Sequence, residues 1–294
     1  MIPPNVVLDP LLQAWLQEDI GRGDRTTAGL GEIAQQSQQA TWIAKSPGII
    51  AGLPIAQRVF ALLDAQMHLT PLVAEGQFCE PGTAIAALQG SLGALLTGER
   101  VALNLAMRLS GIATLTRQYV DKIVDLPAQL VDTRKTTPGL RLLEKYATSV
   151  GGARNHRLGL DDGVMIKDNH IAAAGSIEAA VRQIRQHIPY PLTIEVETET
   201  LAMVEAALAA NVDIIMLDNM AIADMETAVA RIRQTHPHIK IEASGNITLD
   251  TLRAVAQTGV DYISTSAPVT RSPWLDLSMR IQETVESVDE VGGG

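Results

Sequence analysis

From about residue 112 the chain repeats one pattern: a short β-branched run followed by an Ala-rich amphipathic stretch. The runs are AQLVDT (128–133), GVMIK (163–167), LTIEVE (192–197), DIIMLD (213–218), IKIEAS (239–244) and VDYIST (260–265). Between them, apolar residues at helical spacing predict helices over roughly 139–149, 170–187, 199–210, 220–235 and 248–258. Ser176, Thr248 and Asp250 supply cap chemistry near helix starts, and Gly259 supplies a C-cap. Strands that alternate with helices of this length form parallel βαβ units, because a parallel neighbour needs a crossover. Six strands in about 150 residues favour an α/β fold with a parallel β/α barrel over residues 112–272. The pattern leaves closure undecided, so an open or irregular barrel is also compatible with it.

Residues 1–111 read differently. LLQAWLQEDI is a helix, QATWIAK and GIIAGL are strands, PIAQRVFALLD is a helix, and MHLTPLV and TAIAALQ are strands again. EGQFCEPGT between them is turn chemistry. This predicts a smaller N-terminal α+β sandwich domain, joined to the barrel by a long apolar helix over about 98–125. The amphipathic WLDLSMRIQETVE is expected to form a C-terminal helix, 273–290, packing back on the first domain.

Composition removes several classes of function. The formal charge is −10, which opposes both sequence-independent nucleic-acid binding and a polybasic membrane surface. Cys79 is the only cysteine, so no disulfide forms within the chain, and a reducing cytoplasm is the expected setting. The start, MIPPNVVLDP, lacks the pattern of a signal peptide, and no run reaches the ~18 apolar residues of a membrane helix. Aromatics are 3% of a chain that is 46% hydrophobic, so aliphatic residues fill the core.

Against that acidic background, residues 132–170 hold seven Lys or Arg and five acids. Parallel barrels gather their active sites at the C-terminal ends of the strands. Those ends deliver Thr133, Arg134 and Lys135, then Lys167, Asp168 and Asn169, then Asp218 and Asn219. Glu195 and Glu197 lie two apart on one strand and so share a face, and Glu242 precedes Ser244-Gly245-Asn246. The last strand opens into Thr265-Ser266. Small, Gly-containing loops after the final strands suit phosphate, since backbone N–H groups approach an anion closely there. Arg134, Arg154 and Arg157 offer planar forks for carboxylate or phosphate. Glu197 and Asp218 offer hard oxygens that suit Mg²⁺, held directly or through water. Each piece has a plainer reading: a solvated Lys135 or Lys167, a structural His156, a turn at Asp161-Asp162-Gly163, interior acids satisfied by neighbours. Their convergence on one rim favours a polyanionic substrate handled with a metal.

DTRKTTPGLRLLEKYATSVGGARNHRLGLDDGVMIKDNH closely resembles the quinolinate phosphoribosyltransferases, the carboxylating nicotinate-nucleotide pyrophosphorylases. The likeness continues through IEVET, IIMLDNM and IEASGNI, and upstream through LQEDIGRGDRTT and GERVALNLAMRLSGIAT. The resemblance implies transfer of a phosphoribosyl group from phosphoribosyl pyrophosphate to quinolinate, with loss of carbon dioxide, in NAD biosynthesis. Quinolinate and phosphoribosyl pyrophosphate together bring about −6 to −7 charges, and unit charges ~4 Å apart repel by about 4 kcal/mol at an effective dielectric of ~20. The local cations and Mg²⁺ answer that charge.

By motif, the resemblance places Arg134, Lys135, His156, Arg157 and Lys167 at substrate-binding positions, with Arg134, His156 and Arg157 on the quinolinate carboxylates. Thr133 belongs to the same strand end. Lys135, Lys167, Glu197 and Asp218 become the catalytic set, with Glu197 and Asp218 near the ribose and metal. Ser244, Gly245 and Asn246 hold the 5′-phosphate, with Thr265 and Ser266 beside them. Arg100 completes a partner subunit's site, which implies at least a homodimer. One departure stands out: STSAPVTRSPWLD puts Ser266 where the family usually has Gly before an LTHS-like run, and adds Pro268. A phosphoribosyltransferase for nicotinate would need only one carboxylate clamp, and a non-catalytic phosphosugar-binding barrel would not need Glu197 and Asp218 together.

Overall fold

The structure, a computed structural model, describes residues 2–282. They divide into two compact units: residues 4–110 with the stretch from Trp274, and residues 111–273 with the first residues of the chain.

The smaller unit contains α1 (Asn5–Ile20), α2 (Arg25–Gly29), β1 (Ser37–Ala44), β2 (Gly48–Ile49), α3 (Leu53–Leu63), β3 (His68–Pro71), β4 (Phe78–Cys79) and β5 (Ala84–Ser91). The following helix, α4 (Leu92–Asp121), crosses the boundary between units at residue 110. β1, β3 and β5 form an antiparallel sheet with β5 in the middle. Alternation along β1 buries Ala40, Trp42 and Ala44, and Trp42 meets Phe60 of α3 edge-on with centroids 6.2 Å apart. Asp24 caps α2 by accepting the Thr27 N–H at 2.9 Å and its hydroxyl at 2.6 Å.

The larger unit runs β6 (Gln129–Val131), α5 (Arg141–Gly151), β7 (Val164–Ile166), α6 (Asp168–Ala174), α7 (Ile177–Arg185), β8 (Ile194–Thr198), α8 (Leu201–Ala209), β9 (Ile214–Asp218), α9 (Ile222–Thr235), β10 (Lys240–Ser244), α10 (Leu252–Gln257), β11 (Tyr262–Ser264) and α11 (Ala267–Thr270). All six strands are parallel, in the order β6-β11-β10-β9-β8-β7. That order is circular, but β6 and β7 do not pair. Between them Arg154 makes a single parallel bridge to Val131. The barrel is therefore open at one seam.

The physics of the layers is visible in the residues. Ile194, Val196, Ile215, Leu217, Ile241, Ala243 and Ile263 are buried on strands covered by helices. Met225, Ala228, Val229 and Ile232 recur along α9 at i, i+3, i+4 and i+7 and face the same core. The stretch expected as one helix, 170–187, is two: Gly175 turns left-handed at φ 89°, and the Ser176 hydroxyl then caps α7 by accepting the Ala179 N–H at 3.1 Å.

After the barrel comes β12 (Leu277–Ile281), where a helix over 273–290 was expected. It pairs antiparallel with β1, from Ala44 opposite Leu277 to Ala40 opposite Ile281. Leu275, Leu277, Met279 and Ile281 also alternate with period two, and the open edge of β1 offers backbone partners that a helix would leave unused. Residues 283–290 of that expected helix lie outside the described residues. Among the described residues no helix is long and apolar enough to cross a membrane.

Candidate active site

The C-terminal ends of the barrel strands open into one cavity of about 1050 Å³. Thr133, Arg134, Lys135, His156, Arg157, Lys167, Glu197, Asp218, Ser244, Gly245, Asn246, Thr265 and Ser266 all line it. Arg100, Arg154, Asn169 and Glu195, also singled out from the sequence, are not in its lining; Arg100 is exposed on α4, in the smaller unit.

One side of the cavity is cationic. Arg134 follows β6, and its Nε is buried without a hydrogen-bond partner. Arg157 Nη1 donates to the Gly163 carbonyl at 2.9 Å, which holds the guanidinium against the loop before β7. Burial first, and then the charge of Arg134, pull the Arg157 pKa below the ordinary guanidinium value. Two partly dehydrated guanidiniums that repel each other make a site whose natural complement is an anion. Lys167 follows β7 and pairs with Glu197 of β8, while Lys135 is exposed in the cavity lining.

Sequence reasoning did not find what holds this side in place. Asp132 is 3% exposed and accepts four hydrogen bonds. They come from Lys145 of α5, the Thr148 hydroxyl at 2.8 Å, Asn155 Nδ2 at 2.7 Å and the His156 N–H at 2.8 Å. Lys145, 1% exposed, also donates to the His156 carbonyl at 2.9 Å. Burial lowers the Lys145 pKa, and Asp132 pulls against it. A charged residue inside a helix reads as solvated until its tertiary partner is known, so Lys145 carried no usable signal.

His156 sits beneath Arg157. Its Nδ1 accepts the Arg157 N–H at 2.7 Å, and its Nε2 lies 3.1 Å from Glu195 Oε2 and 3.5 Å from Glu242 Oε2. Both ring nitrogens are thus engaged by protein, which differs from the expected contact of this ring with a substrate carboxylate. Burial presses the His156 pKa down, but the hydrogen bond to Glu195 and the charges of Glu242 and Glu195 outweigh it, and the net shift is upward. A second ring proton would face the Arg157 N–H. A proton drawn to this cluster therefore goes to Glu242, whose pKa burial and the Glu195 charge raise to about 8.

The opposite side is a backbone cradle. Asn219 (φ 53°), Gly245 (φ 96°) and Asn246 (φ 52°) are all left-handed. The Asn219 N–H donates to the Ser244 carbonyl at 3.0 Å, and Asn246 Nδ2 donates to Asn219 Oδ1 at 3.1 Å, tying the loops after β9 and β10 together. A Cβ on Gly245 would stand 2.2 Å from Asn219 Oδ1. Ser266, at the position noted above as usually Gly, has φ −87° and ψ −11°. With a negative φ, no glycine is required there. The buried Thr265 hydroxyl accepts the Ala267 N–H at 3.2 Å and donates to the Ile247 carbonyl at 3.4 Å.

Glu197 and Asp218 leave neighbouring strands and face the cavity between the cations and the cradle. Register places Ser244 opposite Asp218 and Met216 opposite Glu197. Asp218 Oδ2 accepts Asn219 Nδ2 at 2.8 Å. Two half-buried carboxylates beside this left-handed loop are a donor set that would fit a hydrated Mg²⁺.

Comparisons with known proteins give the family. The description "Quinolinate phosphoribosyl transferase, N-terminal domain" matches residues 24–110, and its C-terminal counterpart matches residues 112–280. The probable nicotinate-nucleotide pyrophosphorylase [carboxylating] of Synechocystis sp. is 63% identical over 280 residues, spanning 95% of this chain and 94% of its own. The Bacillus subtilis protein of the same description is 47% identical over 286 residues, 97% of both chains. The crystal structure of NadC from Streptococcus pyogenes superposes with a TM-score of 0.90 at 40% identity, covering 96% of this chain and 99% of that one. Matched in order along both units, and over nearly the whole length of its relatives, the chain belongs to the quinolinate phosphoribosyltransferase family.

Proposed function

We propose that the protein transfers the phosphoribosyl group of phosphoribosyl pyrophosphate to the ring nitrogen of quinolinate, releasing pyrophosphate and carbon dioxide and leaving nicotinate mononucleotide. It is a carboxylating nicotinate-nucleotide pyrophosphorylase of NAD biosynthesis. The observation that carries this reading is the pair of guanidiniums, Arg134 with its buried unpartnered Nε and Arg157 beside it, facing the same cavity as the Ser244-Gly245-Asn246 cradle.

Arg134 and Arg157 bind the two carboxylates of the pyridine and hold its nitrogen toward the ribose. The cradle, with Thr265 and Ser266, takes the 5′-phosphate. Lys135 and Lys167 meet the pyrophosphate as negative charge grows on it, where preorganised cations stabilise the departing group. Glu197 and Asp218 face the ribose, whose C1 becomes oxocarbenium-like as the bond to pyrophosphate breaks, and a carboxylate stabilises that positive charge through space. After the nitrogen attacks, the pyridinium draws the electrons of the adjacent C–carboxylate bond, and carbon dioxide leaves. No protein nucleophile takes part. When bound, Mg²⁺ neutralises phosphate charge, and Glu197 and Asp218 would hold it, directly or through water.

Arg100 completes the site of a second copy in a homodimer. Its exposure, and its place outside the cavity lining of its own chain, support that assignment. A cytoplasmic setting accompanies it, supported by a chain whose single cysteine precludes an internal disulfide. Incubating the purified protein with quinolinate, phosphoribosyl pyrophosphate and Mg²⁺, and measuring products by mass, tests the reaction. Nicotinate mononucleotide and carbon dioxide in equal amounts are expected. Product from nicotinate but not from quinolinate would overturn the reading.

A further inference from the structure

Two buried glutamates have no part in the reaction just described. Glu195 and Glu242 are each 3% exposed, on β8 and β10. In each, Oε1 is buried and has no hydrogen-bond partner, while Oε2 faces His156 Nε2. Ser264 adds a hydrogen bond to Glu242. A barrel interior disfavours acids, and filling it calls only for aliphatic side chains. What these two acids share is the imidazole.

The imidazole passes the constraint on. Its Nδ1 accepts the Arg157 N–H at 2.7 Å, so Nδ1 carries no proton and the ring proton sits on Nε2, between the two carboxylates. The ring is therefore pinned at one end by Glu195 and Glu242 and at the other by the peptide of Arg157. The Arg157 guanidinium, braced on Gly163, then points from a fixed backbone into the cavity.

We propose that Glu195 and Glu242 are positioning residues. They hold His156 in its Nε2–H tautomer and, through the Nδ1 bond, set the backbone from which Arg157 reaches the quinolinate carboxylate. The proposal rests on the reading of Arg157 as part of the carboxylate clamp. A metal ion is the competing occupant, since the three ligand atoms lie within 4.8 Å of one another. Coordination through Nε2 would move the ring proton to Nδ1, against the Arg157 N–H, and the geometry disfavours it.

The test separates the two substrates. Assayed at about pH 9, above the raised Glu242 pKa of about 8, Glu195→Gln and Glu242→Gln keep shape and remove charge. Each is expected to raise KM for quinolinate roughly tenfold, about the loss of one charge-assisted hydrogen bond, with KM for phosphoribosyl pyrophosphate within about twofold of wild type. A shift in melting temperature with both KM values unmoved makes the acids merely structural and overturns the proposal. An equal rise in both KM values means general loosening of the site and also overturns it. A second measurement needs no turnover: ¹⁵N NMR of the wild-type protein, with His156 assigned by its loss in His156→Gln. An unprotonated Nδ1 and a protonated Nε2 are expected. Protonated Nδ1, or a stoichiometric metal found by elemental analysis and lost in the Gln variants, refutes the arrangement. If the wild type formed no nicotinate mononucleotide, the clamp reading would fall, while the tautomer would still be decided separately by NMR.

Discussion

The Lys145 ammonium meets the Asp132 carboxylate with the two side chains 1% and 2% exposed, and the pair brackets His156 by its N–H and its carbonyl. A buried ion pair of this kind adds little net stability over apolar packing, but removing one partner strands the other. Lys145→Met should cost about 3–5 kcal/mol in urea unfolding. The double variant Lys145→Met, Asp132→Leu should recover part of that loss while leaving turnover impaired, because His156 and Arg157 lose their anchor. A Lys145→Met protein as stable as wild type would show that the pair does not matter to the fold.

Gly245 is held left-handed with Asn219 Oδ1 where its Cβ would be. Alanine there meets backbone strain of about 1–2 kcal/mol and a contact that forces the loops after β9 and β10 apart. Gly245→Ala should keep the circular dichroism of the wild type and weaken phosphoribosyl pyrophosphate binding by about tenfold or more. Quinolinate binding should change far less. Titration calorimetry with each substrate reads both effects, and unchanged affinity for phosphoribosyl pyrophosphate would remove the loop from the phosphate site.

Glu242 gives stability a pH dependence whose sign follows from its environment. Its pKa is raised from 4.5 to about 8 by burial and by Glu195. Across that window the folded state holds a proton that the unfolded state has released, so this contribution is complete below pH ~4.5 and is lost as pH rises toward ~8. Glu242→Gln removes the titration. The melting temperature of the variant, taken relative to wild type, should therefore climb between pH 5 and pH 8, by an amount equivalent to a few kcal/mol. A constant difference across the window would contradict the raised carboxyl.

Arg100 and Lys135 lie in different units of one chain. If Arg100 serves a second copy, Arg100→Ala and Lys135→Ala should each reduce turnover by at least about a hundredfold, within the range for losing a charge stabiliser. Mixing the two variants, with exchange of subunits, should restore activity to roughly a quarter of wild type, since random pairing leaves that share of sites intact. No recovery on mixing, despite demonstrated subunit exchange, would place Arg100 in its own chain's site.

Much of this protein is legible without coordinates because its periods are strong. Six parallel strands read as short β-branched runs, and the helices between them place core residues three to four apart. Function residues at the strand ends follow from the same rhythm, since a parallel barrel has one end where its loops gather. Arg134, Lys167, Glu197, Asp218 and Ser244 could be named because each stands one step past or at the end of a recognisable run. Where two periods coexist the reading failed: Leu277, Met279 and Ile281 suit a strand as well as a helix, and the free edge of β1 decided between them.

Sequence by itself determined the six barrel strands, their order along the chain and the family, all properties of residues near one another along the chain or of their spacing. Tertiary structure alone decided which charges are buried and what they touch. Lys145 lies thirteen residues from Asp132, Glu195 and Glu242 stand on separate strands, and His156 reaches both acids across the barrel. Such contacts have no local period and no propensity, because the free energy of a buried polar group depends on partners that folding alone brings within hydrogen-bond distance.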